Sequence, residues 1–302
     1  MAAMLKSLLI WPDSGWTDVR WCPPHGEADP EWPLLAMDAL LRGSKKVSER
    51  LSTCLAEQGI EMPRSEIRLM ARGLSASGDL EVEIYDYTRD GPYVGSVRVP
   101  IGFHDLDVRR RDELVLQMWR ETLTQIVACS GKDPAAVERA ADAARRDDYE
   151  VPRHGPWKQD RSRSRRVRLV GGLHDDGFLH LHLEIEELRG FRETRLSDGM
   201  IDSTLGWSFD KAAKSVRWES SHVDEGVPTV SVVIEGGGRF ELDGESGSIR
   251  VIGGFEEPWK IAPTAPAVPT GFRLVKKPDD HIDVLWGSAG DGFGAVPKEY
   301  EG

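Results

Sequence analysis

Apolar and polar residues alternate on both sides of one tight turn between Arg163 and Glu187, and several independent rules agree there. Val167, Leu169 and Leu173 fall at odd positions before Asp175-Asp176-Gly177, and Leu179, Leu181, Leu183 and Ile185 fall at odd positions after it. A period of two marks strands buried on one face. A three-residue hairpin loop takes glycine at its last position, where the backbone turns left-handed. Closing the loop there sets Leu169 opposite Leu183, Val167 opposite Ile185, Arg168 opposite Glu184 and Arg166 opposite Glu186. Apolar meets apolar and plus meets minus, and a slip of one residue would turn every leucine outward.

The same periodicities lay out the rest of the chain. Leu5 to Trp11 predicts a first strand. Leu40, Val47, Leu51, Cys54 and Leu55 recur at helical spacing within 34–58, and Gly59 and Pro63 stop that helix. A strand about Ile67, Leu69 and Ala71 leads to a second hairpin. There Leu80, Val82 and Ile84 are expected to face Ile101, Val99 and Val97, with Glu83 opposite Arg98. A helix over 107–130 is expected to bury Val115, Met118, Trp119, Thr122, Ile126 and Cys129. Another runs to about Asp148, with Asp133 as its cap and Pro134 at its first position. Residues 151–160 read as a loop. A strand at Val216 and Trp218 precedes a meander. Its first turn sets Ile234 opposite Phe240 and Glu235 opposite Arg239. Its second sets Leu242 opposite Ile249, Glu241 opposite Arg250 and Phe240 opposite Val251. Ala262 to Gly271 is a proline and alanine linker. Phe272 to Val275 and Ile282 to Trp286 are a candidate pair, and the glycine-rich stretch 287–294 lacks a P-loop lysine.

These elements predict an α+β protein: antiparallel β-hairpins with helices covering one face, plus a C-terminal β-meander. Residues 1–190 are expected to form an α+β domain in which both hairpins share one sheet under three helices. Residues 191–261 are expected to form the meander region, and 262–302 the linker and tail. Local register leaves open whether the two halves are separate domains or one sheet.

Composition narrows the function. With 39% hydrophobic and 30% charged residues the chain is globular. A net charge of -12 argues against nucleic acid as a partner and favours a basic protein. The basic cluster Arg161, Arg163, Arg165, Arg166 and Arg168 has two members committed to glutamates across the hairpin, and no aromatic residue interleaves with it. Cys22, Cys54 and Cys129 form no C-x-x-C pair and read as reduced thiols of a cytoplasmic protein. The apolar run Leu8 to Trp11 is too short for a signal-peptide core or a membrane span. Asparagine is absent and arginine outnumbers lysine, which points to a GC-rich bacterial genome and excludes N-glycosylation.

Three places can carry chemistry. His180, His182 and Glu184 alternate with the leucines and project on the outer face, where an H-x-H pair and a carboxylate can hold a divalent transition metal. The competing reading is the wet face of an antiparallel strand, with the glutamates already paired. Trp11, Trp16 and Trp21 stand among prolines, either as an exposed interaction surface or as plugs for a core. His104, Asp105 and Asp107 precede a helix, as an acid–base cluster or as caps. No G-x-S-x-G, Walker, H-E-x-x-H or EF-hand motif occurs. The leading expectation is a non-catalytic bacterial binding protein without a cofactor, an immunity or antitoxin-like inhibitor of a basic toxin. The alternatives are a metal-dependent enzyme centred on the H-x-H pair, and a structural or assembly protein using the tryptophan-rich segment.

Overall fold

A computed structural model describes residues 3–12, 35–62, 65–75, 77–84, 93–100, 102–129, 131–189, 194–197, 200–202, 206–219, 229–234, 239–243, 248–252 and 272–276. In chain order they form β1 (Ala3–Met4), β2 (Ser7–Pro12), α1 (Leu35–Glu57), β3 (Glu61–Met62), β4 (Glu66–Leu74), β5 (Leu80–Ile84) and β6 (Tyr93–Val99). A 3-10 turn (Phe103–Asp105), α2 (Val108–Cys129) and α3 (Ala135–Arg146) follow. Then come β7 (Arg153–His154), β8 (Lys158–Gln159), β9 (Arg165–Leu173), β10 (Leu179–Glu187), β11 (Thr194–Leu196) and β12 (Met200–Asp202). The last elements are α4 (Gly206–Ser215), β13 (Arg217–Trp218), β14 (Thr229–Val233), β15 (Arg239–Asp243), β16 (Ile249–Ile252) and β17 (Phe272–Lys276). The fold is mixed α+β with much antiparallel sheet, as the periodicity predicts. The elements fall into two compact units, one with β1 to α3 and β17, the other with β7 to β16 and α4.

In the first unit the strands lie in the order β17-β5-β6-β4-β2. β2, β4 and β6 are mutually parallel, and β5 runs antiparallel to β6. Parallel neighbours need a crossover connection, and α1 supplies it between β2 and β4. α1 packs on β2 and β4, α2 packs on β5 and β17, and α3 packs on both helices. The covered sheet face buries Leu8, Ile10, Leu69, Val82 and Val97. Enclosed by sheet and helices, α1 buries Ser48 and Ser52 as well as its apolar stripe. Each hydroxyl is satisfied: Ser52 Oγ accepts from Leu8 N at 3.0 Å, and Ser48 Oγ accepts from Trp119 Nε1 at 2.8 Å.

The β5–β6 register differs by two residues from the expected one. Val82 faces Val97, Glu81 faces Arg98 and Ile84 faces Gly95. A shift of two keeps every side chain on its face, so the apolar pattern cannot distinguish the two registers. In the observed register β6 comes close to β5 at Gly95, where a Cβ would lie 2.3 Å from the Glu83 carbonyl oxygen.

In the second unit β9 and β10 pair in the expected register, and β10 also pairs β11 and β12. The apolar face of this hairpin packs on Phe209, Ala212 and Ala213 of α4 and on Val230, Val232 and Leu242 of the meander. The two hairpins thus lie in different sheets instead of one, and by contacts the chain divides near residue 150. Local register says which residues face each other, not which strands share a sheet. The second meander turn pairs as expected, Leu242 with Ile249 and Glu241 with Arg250. The first is shifted by two, with Val232 opposite Phe240 and Val233 opposite Arg239. Residues 282–294 lie outside the described residues, and β17 pairs in parallel with β5.

Candidate functional site

The outer face of β9–β10 is built by its period. With the odd positions committed to the core, Arg166, Arg168, His180, His182, Glu184 and Glu186 share the other side. Gly177, at φ 79°, makes the turn. Asp176 Oδ1 fastens it by accepting from Phe178 N at 2.9 Å, while Gly177 N donates to His174 O at 2.9 Å. Arg168 pairs with Glu184, and Arg166 Nε donates to Glu186 Oε2 at 2.6 Å. At the rim Arg165 meets Glu187 at 2.8 Å, and Arg195 of β11 meets the same carboxylate at 3.5 Å.

The arm that reads as a loop in the sequence runs along β9, with His154 opposite Val170 and Lys158 opposite Val167. Between these two pairings sits Trp157. Its ring lies 4.2 Å from the Arg166 guanidinium and 4.5 Å from that of Arg168. Such contacts contribute roughly 0.5 to 1 kcal/mol each at exposed sites. The sequence shows no aromatic among the arginines because the ring comes from a separate segment, between β7 and β8. The only local signal was a tryptophan set in the Gly155-Pro156 stretch.

The arm is held at its far end by Asp160, which accepts from Ser164 N at 2.9 Å and from Ser162 Oγ at 2.6 Å. Burial works against ionisation of Asp160, yet the hydrogen bonds from Ser162, Arg165 N and Ser164 together hold its carboxyl below the usual range. This tight loop also accommodates Arg163 at φ 55°.

His180, His182 and Glu184, the candidate metal ligands, each have a partner within the protein. His180 Nε2 meets Asp176 Oδ2 at 2.7 Å, and its ring stacks on His174. His182 Nδ1 lies 3.1 Å from Ser197 O, and Glu184 is engaged by Arg168. Each of the three has its own partner. Among the described residues no group of three or more His, Cys, Asp or Glu is placed to hold a metal ion.

Of the tryptophan set, Trp11 is 37% exposed and lies 4.8 Å from the Arg68 guanidinium, while Trp16 and Trp21 lie outside the described residues. Asp107 is a cap: its Oδ1 accepts from Arg110 N at 2.9 Å at the start of α2. Cys54 is a buried free thiol, raised above its ordinary value chiefly by burial. Cys22 lies outside the described residues.

The hairpin face is therefore a fixed amphoteric surface. Aromatic, guanidinium and carboxylate groups lie side by side, and Arg166 and Arg168 each have a carboxylate neighbour. Comparison with protein-family models, with curated proteins and with solved structures finds no match. Among the described residues no helix is long and apolar enough to cross a membrane.

Proposed function

We propose that the protein is a non-catalytic binding protein that recognises a basic protein partner through the outer face of β9–β10, in the manner of an immunity or antitoxin-like inhibitor. The observation that carries this reading is the seating of Trp157 on Arg166 and Arg168, which are themselves tied to Glu186 and Glu184. Tryptophan and arginine dominate the energetics of protein interfaces. Held in advance, they lose little side-chain freedom on association. Each paired carboxylate keeps lone pairs that a partner's lysine or arginine can use. The net charge of -12 steers a cationic partner toward the chain.

The test is capture at low ionic strength, with the wild-type chain and Trp157→Ala as parallel baits against lysate of the source bacterium. The reading expects one cationic protein retained in near-equal amount by the wild type, released as salt is raised, and retained much less by Trp157→Ala. Retention of no such protein, or equal retention by both baits, would contradict it.

A further inference from the structure

The outer face of the hairpin sheet has an order across its strands that the ion pairs within the hairpin do not require. β11, β10 and β9 lie side by side, and the arm carrying β7 and β8 lies on the far side of β9. Residues directly opposite each other in an antiparallel pair project to the same side of the sheet. Leu196 is opposite Glu184, and Glu184 is opposite Arg168, so one row crosses the face from Leu196 through Glu184 and Arg168 to Trp157. The neighbouring row runs from Thr194 through Glu186 and Arg166 to Gln159. At 65% Leu196 is the most exposed large apolar side chain among the described residues.

Each row has its carboxylate on β10 and its guanidinium on β9, with uncharged ends, and in the first row both ends are apolar. A half-turn about an axis along the strands, midway between β9 and β10, exchanges the two columns and leaves each row at its own height. Two copies laid face to face by that rotation set Arg168 of each on Glu184 of the other, Arg166 on Glu186, and Trp157 on Leu196. A two-fold interface needs this self-complementarity, because one patch serves as both halves. Stacked sheets keep their strands within about 30° of each other, which the rotation respects. The four charged side chains are between 12% and 34% exposed, and each keeps lone pairs or N–H groups beyond those its own neighbour uses. Nine-residue strands at about 3.3 Å per residue and four columns about 4.8 Å apart give on the order of 600 Å² per copy, the lower end of a stable interface.

We propose that the outer face of β9–β10 is a self-association surface, on which a second copy of this chain binds by two-fold symmetry. The pairing rests on the pattern of this face and stands without a foreign partner. A cationic protein that uses the same face must displace the second copy.

The test is sedimentation equilibrium of the purified full chain over a concentration series. Salt of about 0.15 M screens the repulsion of two chains of charge -12 beyond about 8 Å and leaves contacting charges attracted. The wild type is expected to pass from one chain mass to two as concentration rises. Leu196→Asp, a change at an exposed position that leaves the core intact, is expected to weaken pairing at least tenfold. The double variant Arg168→Glu/Glu184→Arg keeps an ion pair within each copy and reverses the first row. It is expected to pair with itself, while native mass spectrometry of its mixture with the wild type shows mixed dimers well below their statistical share. A wild type that stays monomeric, pairing unchanged by Leu196→Asp, a folded double variant that stays monomeric, or mixed dimers at their statistical share would overturn the proposal. If the double variant does not fold, Leu196→Asp decides alone. No foreign protein enters these measurements, so their failure is distinct from failure of the capture experiment.

Discussion

The ring of His180 lies flat on that of His174, with centroids 4.0 Å apart and planes 14° from parallel, while its Nε2 meets Asp176 Oδ2 at 2.7 Å. The sequence pairs His180 with His182, while the structure stacks the His180 ring on His174. Asp176 instead joins this stack to the hairpin turn, through Oδ2 to His180 and through Oδ1 to Phe178 N.

Asp176 therefore supports the hairpin in a pH-dependent way. Burial opposes its ionisation, but the bonds from His180 and Phe178 N and the nearby histidines hold its carboxyl below the ordinary 3.8. The contribution is thus fully present above the unfolded value and is lost as pH falls through the lower folded one. Asp176→Ala is expected to cost about 1 to 2 kcal/mol in urea denaturation at pH 7, and Asp176→Asn less, because its amide oxygen still accepts from Phe178 N. The gap between wild type and variants should narrow as pH falls below 3.8.

Arg168 and Glu184 are expected to be coupled. Both side chains are less than one quarter exposed, at 23% and 17%, and Trp157 covers the guanidinium. A double-mutant cycle with Arg168→Ala and Glu184→Ala should return about 0.5 to 1.5 kcal/mol of interaction, above the value for a fully exposed pair. Unfolding midpoints in urea give all four stabilities.

Gly171 sets how closely β9 approaches β10. A Cβ there would lie 2.2 Å from the His180 carbonyl oxygen and 3.0 Å from Leu181 Cδ2. Gly171→Ala is expected to destabilise by about 2 to 4 kcal/mol, since a backbone carbonyl cannot swing aside as a flexible side chain would. Loss of only a few tenths would show that the strands separate easily there.

The hairpin core and its ion pairs were legible from residues 163–187 because register, loop type and charge all gave one answer. The β5–β6 register was not, since a two-residue slip leaves the apolar pattern unchanged. α4 has its signal in Phe209, Ala212 and Ala213 at helical spacing, too short a run to stand out from its polar neighbours. Sheet membership was illegible for the same reason as Trp157: both depend on which distant segment comes alongside. Of the candidate site, the sequence showed the arginines, glutamates and histidines of the face. It did not show that each histidine would be claimed by a partner from the turn or from the segment after β11.

Lys45 makes the first unit sensitive at the alkaline end. Burial on α1 lowers its pKa from 10.5 to about 8, with Glu49 opposing the shift. The folded state thus binds fewer protons than the unfolded one between those values, so stability rises with pH across that window. Lys45→Met is expected to be more stable than wild type at pH 7 by about 1 to 3 kcal/mol. The difference should vanish above pH 10.5, as denaturation at a series of pH values would show.

The most direct test of the binding face is hydrogen–deuterium exchange of the chain alone and with its captured cationic partner. The account predicts added protection of backbone amides across residues 155–168 and 180–187, with little change over α1 to α3. Protection confined to the first unit, with the hairpin exchanging as in the free chain, would contradict it.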